Sequence, residues 1–190
     1  MGLTAAQRKA LSRRAADGSL EVEHLLKAAA LGGANDVPFL RALKSEHGWP
    51  DAGRQGRSRV VPFGRWSDTI CRFWEDGYQG LVQLASQSVE AVEFCVSVLE
   101  ELRTPDSVSA LLAIGGPVIE RPAADPGLAV GLADGFNVVL SFKGGPSIAP
   151  AVERQVREFL HRLLAAELTE AQRASAVCAL RGVGDAEGAN

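Results

Sequence analysis

The chain has 190 residues, 46% hydrophobic and 23% charged, which suits a single globular domain with enough apolar side chains for a core. Its net charge of −3 conceals a split: residues 1–65 carry 11 Lys/Arg against 6 Asp/Glu, and residues 66–190 carry 9 against 17. An acidic body disfavours DNA or RNA as the main partner, because phosphate binding wants a basic face, and no apolar run approaches the ~20 residues that cross a bilayer.

The first predicted helix covers 4–16, with Thr4 and Gln7 placed for reciprocal capping and Gly18 to close it. Ser19 is the expected cap of a second helix over 20–31, where Val22, Leu25, Leu26 and Ala29 share a face and Gly32-Gly33 end it. Asp36 starts a shorter helix that ends near Gly48. These N-terminal helices occupy 1–47, and an Arg/Gly-rich loop follows over 48–65, with positive charge at Arg54, Arg57, Arg59 and Arg65. Ile70, Phe73, Trp74, Leu81, Leu84 and Ala85 follow helical spacing, interrupted at Gly77 and Gly80.

The pattern sharpens over 88–102, where Val92, Cys95, Val96, Leu99 and Leu102 mark one face. Glu90, Glu93, Glu100 and Glu101 fall away from it, either as a solvated face or as an acidic strip for a basic protein. Thr104-Pro105 opens the next helix, with Gly115-Gly116-Pro117 as its expected end. Residues 127–143 read as a helix through Leu128, Leu132, Val139 and Phe142, although FNVVLSF also alternates like a strand. Val152, Val156, Phe159, Leu160, Leu163 and Leu164 form the most regular stripe in the chain, and Thr169 caps a last helix through Leu180.

Two stretches resemble one another and a known repeat. EFCVSVLEELRTPDSVSALLAIGG from Glu93 and RASAVCALRGVGDAEGAN from Arg173 are similar to HEAT-type helical repeats, in which an Ala/Leu-rich second helix ends in a short turn. Residues 150–184 would form one whole unit, close to the ~40-residue period of such repeats. The likeness runs over about half the chain, and residues 1–87 carry no repeat phrase. It implies an all-α fold, a HEAT-like right-handed stack of antiparallel helix pairs (an α-solenoid) over 66–190 within one domain. It also implies a binding surface, since HEAT-like proteins mostly act as scaffolds or adaptors.

Chemistry leaves little trace. Phosphate-binding glycine motifs, HExxH, an EF-hand loop and GxSxG are all missing from the sequence. His24, His47 and His161 have no ligand spacing, and Cys71, Cys95 and Cys178 lie far apart with no CxxC, so packed thiols are expected and neither a disulfide framework nor a metal or other cofactor. One enzymatic alternative rests on HEAT-like DNA glycosylases, whose damaged base sits among aromatic and acidic residues, here Trp66, Asp68 and Trp74. The leading expectation is a cytoplasmic, non-enzymatic protein that binds another protein. Its narrower form is an immunity protein neutralising a basic bacterial toxin domain, and the alternative is a scaffold or regulatory adaptor. The candidate partner-binding residues are Glu90, Glu93, Glu100 and Glu101, with Arg54, Arg57 and Arg59 as the basic counterpart.

Overall fold

The computed structural model describes residues 2–51, 54–55, 58–120, 126–141, 145–165 and 168–184. Among them the fold is all-helical, apart from a short antiparallel pairing between β1 (Arg54–Gln55) and β2 (Ser58–Arg59). The chain divides into two compact units, Met1–Leu84 and Ala85–Asn190. The division falls well beyond the change in charge near residue 65.

The first unit contains α1 (Ala5–Asp17), α2 (Val22–Leu31), a 3-10 turn (Ala34–Asp36), α3 (Val37–His47) and α4 (Phe63–Ala85), whose last residue belongs to the second unit. Thr4 and Gln7 form the expected capping box: the Gln7 N–H donates to Thr4 Oγ1 at 3.3 Å, and the Thr4 N–H donates to Gln7 Oε1 at 2.8 Å. Ser19 does not cap α2. Its N–H and hydroxyl both donate to Asp17 Oδ1, which holds it in the preceding turn, and α2 starts after Glu21, whose N–H donates to His24 Nδ1. α4 bends at Gly77, where φ is 63° and ψ is −151°, a conformation essentially confined to glycine. Gly80 continues the helix, so the break occurs at one of the two expected glycines.

Long side chains tie α4 to the earlier helices. The Trp74 indole N–H donates to the Ala29 carbonyl at 3.1 Å, and Lys44 on α3 donates to Asp68 at 2.7 Å and to Asp51 at 2.8 Å. Partial burial pulls the Lys44 pKa down, but the two carboxylates outweigh it and hold the ammonium above its ordinary value. Trp49 packs between His47 and Phe63.

The second unit contains α5 (Val89–Leu102), α6 (Pro105–Glu120), α7 (Pro126–Ser141), α8 (Pro150–Leu164) and α9 (Glu170–Gly182). Ser88 caps α5 through the Ala91 N–H, and Thr104 caps α6 through the Ser107 N–H. α6 does not stop at Gly115-Gly116-Pro117. It runs through them to Glu120: a β-carbon on Gly115 would stand 2.7 Å from the Phe159 ring of α8, and packing this close overrides local propensity. The ambiguous segment is helical up to Ser141, and Phe142 lies outside the described residues.

α7 packs against α5, α6 and α9, while α6 packs on α8 and α8 on α9. Leu132, Ala133, Phe136 and Val139 of α7 are fully buried, and the Phe136 and Phe159 rings lie 5.2 Å apart. The α8 stripe is buried at Val156, Phe159, Leu160 and Leu163 as expected, with Leu164 at its edge. No described helix is long and apolar enough to cross a membrane.

Candidate functional site: an acidic groove between α5 and α7

The packing of α7 against α5 leaves a groove of about 560 Å³ on one side of their contact. Helical periodicity dictates its α5 wall. Val89, Glu93, Val96 and Glu100 recur at steps of four, three and four, so they form one stripe beside the buried stripe of Cys95 and Leu99. Leu128, Gly131 and Asp134, at steps of three, supply the α7 wall. Val92 closes the floor, and Glu90 stands at the rim. Val89 is 53% exposed, an unusual position for valine at a helix start. No described atom lies within 4 Å of where a Gly131 side chain would begin, so that glycine opens into the groove.

Three of the four sequence-predicted glutamates, Glu90, Glu93 and Glu100, converge here, whereas Glu101 turns away from the groove lining. Their environments differ. Glu90 and Glu93 are exposed, but Glu100 is half-buried, so the expectation that Glu100 shares a solvated polar face is corrected. α7 approaches α5 so closely at Gly135 that a β-carbon there would stand 3.7 Å from Glu100 Oε1. The Glu100 carboxyl is thereby covered and set beside Asp134. Burial, then the Asp134 charge, push its pKa up to about 7, against the pull of Arg103. Asp134 itself accepts a hydrogen bond from Ser175 of α9.

Asp134 escaped the sequence reading, although a signal was present: it is the one charged residue in the sixteen of α7. A lone carboxylate in a mostly apolar helix has to reach either a partner or an opening. Among the described residues Glu90, Glu93 and Glu100 make no side-chain ion pair, and no three His, Cys, Asp or Glu side chains converge in a way that could hold a metal ion. The groove's carboxylates are spread along its length.

The other candidates do not assemble. Arg54 and Arg59 face each other across the β1–β2 pairing, their side chains lie outside the described residues, and so does all of Arg57. Trp66 and Trp74 are buried, the latter tied to Ala29, and Asp68 is paired with Lys44, so these three build no aromatic pocket around a free acid. Burial pushes the Cys71 thiol up to about 11 and the Cys95 thiol up to about 12, away from nucleophilic behaviour. Comparison with known proteins adds no relative: no family model, no curated protein and no solved structure matches this chain.

Proposed function

We propose that this is a protein-binding module, and that the groove between α5 and α7 receives a basic amphipathic segment of another protein. The observation that carries this reading is the combination of apolar walls with carboxylates strung along them, in a groove of the volume that buries a ligand. An amphipathic helix fits such a surface: its apolar face covers Val89, Val96 and Leu128, and its Lys or Arg side chains meet Glu90, Glu93, Glu100 and Asp134. Contact between the consecutive helices α8 and α9 is what a HEAT-like helix pair would give, and it supports that reading for this unit. α7, which touches three other helices, goes beyond a simple stack of consecutive pairs. Neutralisation of a basic toxin domain is one form such binding takes, and a scaffold or adaptor role is another; both use the same groove.

The test is direct binding of a fluorescent Lys/Arg- and Leu-rich helical peptide, followed by anisotropy, with an acidic peptide of the same length as control. Gly131→Phe starts a bulky side chain where a β-carbon meets no described atom within 4 Å, and so fills the groove. The basic peptide should bind the native protein, and the Gly131→Phe protein, with its fold intact by circular dichroism, should lose at least about tenfold in affinity. Equal binding to both proteins, or preference for the acidic peptide, would overturn the reading.

A further inference from the structure

We propose that the end of the groove between Glu100 and Asp134 is an arginine anchor, where one guanidinium of the docked segment bridges the two carboxylates. This inference rests on the groove being a binding site for a basic segment, and it names the side chain that the groove selects. Three features of the groove point to it. The two carboxyls come from different walls, Glu100 from α5 and Asp134 from α7, so a group lying between them touches both helices. The approach of α7 at Gly135 covers the Glu100 carboxyl, so an incoming cation has to be partly dehydrated to reach it. The apolar side chains of Val92 and Val96, which line the groove, suit the aliphatic stem of a long side chain.

A guanidinium answers these demands better than an ammonium. It is planar, keeps its charge at any accessible pH, is less strongly hydrated, and presents donors on two edges. An ammonium is a compact and strongly hydrated point charge, at home beside the exposed Glu90 and Glu93. The Ser175 hydroxyl occupies one oxygen of Asp134 and leaves the carboxylate its second oxygen for a ligand.

The proton follows from the same geometry. Two charges act on Glu100: Asp134 from α7 disfavours its ionisation, and Arg103, at the end of α5 itself, favours it. Among the described residues α6, the other helix packed on α5, contributes no charge to its titration. With its pKa raised to about 7, the carboxyl is partly protonated near neutral pH. A bound guanidinium requires the ionised form, so binding releases a fraction of a proton.

Isothermal titration calorimetry of the full chain tests this with the basic helical peptide carrying one Arg at its centre, beside versions with Lys or Gln at that position. Measurement at pH 7 in two buffers of different ionisation enthalpy should show release of a fraction of a proton on binding of the Arg peptide. Its affinity should rise roughly tenfold between pH 6 and pH 8, whereas Glu100→Gln should bind with a flat pH profile and without proton release. The Lys and Gln peptides should bind roughly tenfold more weakly than the Arg peptide. If the three peptides bind alike to the native protein and none releases a proton, the anchor is overturned while the groove stands. If no basic peptide binds, both fall. A carboxyl resonance of Glu100 that titrates near pH 4 in the free protein would overturn the proton release by itself.

Discussion

Asp36 is fully buried, yet its carboxylate is satisfied on both oxygens. The Leu3 and Gly33 N–H groups donate to Oδ2 at 2.9 and 3.1 Å, and Arg8 donates to Oδ1 at 2.6 and 3.0 Å, so one side chain ties the start of the chain and α1 to the beginning of α3. Burial alone would raise its pKa. The hydrogen bonds from Leu3, Arg8 and Gly33, with the Arg8 charge, reverse that and hold the carboxyl below the ordinary carboxylate range. A depressed folded-state pKa means that this stabilisation is fully present above the unfolded pKa near 4 and is lost as pH falls through the lower folded value. Asp36→Asn should therefore cost about 2 kcal/mol at pH 7 and narrow towards the native protein in acid. Urea unfolding at pH 7 and in the acid range checks both halves. The sequence placed Asp36 at a helix start but offered no hint of Arg8 or Leu3 as partners, because they meet it through packing rather than through helical spacing.

At the scale of the element, two glycines four residues apart on α7 have opposite roles. Gly131 faces open space. A β-carbon on Gly135 would stand 2.9 Å from Val96 Cγ1 and 3.2 Å from Leu111 Cδ2, where α7 presses against α5 and α6. Gly131→Ala should gain roughly 0.5–1 kcal/mol from helix propensity. Gly135→Ala receives the same propensity gain but has to displace a stiff valine, and should lose about 1–2 kcal/mol net. Thermal melts of the two variants should shift in opposite directions, and a stabilised Gly135→Ala would mean that the helices are not held at this spacing. Much at this scale was legible in advance: the Thr4–Gln7 box, the Thr104-Pro105 start and the α8 stripe are local patterns, and local patterns can be read along a chain. The persistence of α6 through Gly115 and Pro117 was not legible, because its cause is the Phe159 ring more than forty residues away. The groove was half legible for the same reason. Its α5 stripe follows from periodicity, whereas the Asp134 wall and the covering of Glu100 depend on which helix packs against which.

The charge asymmetry of the chain survives its division into units. Residues 1–84 carry 12 Lys/Arg and 9 Asp/Glu, and residues 85–190 carry 8 and 14. The acidic unit is also the one that holds the groove, so the field that would steer the proposed basic segment and the groove proposed to receive it reside in the same 85–190 segment. Its core is assembled from α5 to α9, with fully buried Val98, Leu99, Leu111, Leu132, Phe136, Leu160 and Leu180, a set dense enough for a small helical domain. A fragment of residues 85–190 expressed alone should therefore unfold cooperatively and bind the basic helical peptide within about threefold of the full chain's affinity. The binding of either should weaken as salt is raised from about 0.05 to about 0.5 M, chiefly through slower association, because screening shortens the reach of the acidic field while the apolar contacts persist. Stopped-flow measurements at the two salt concentrations separate the rates. Dissociation that accelerates while association stays constant would put the charges in the seated contact rather than in the approach. A fragment that folds but does not bind would move part of the recognition surface into residues 1–84.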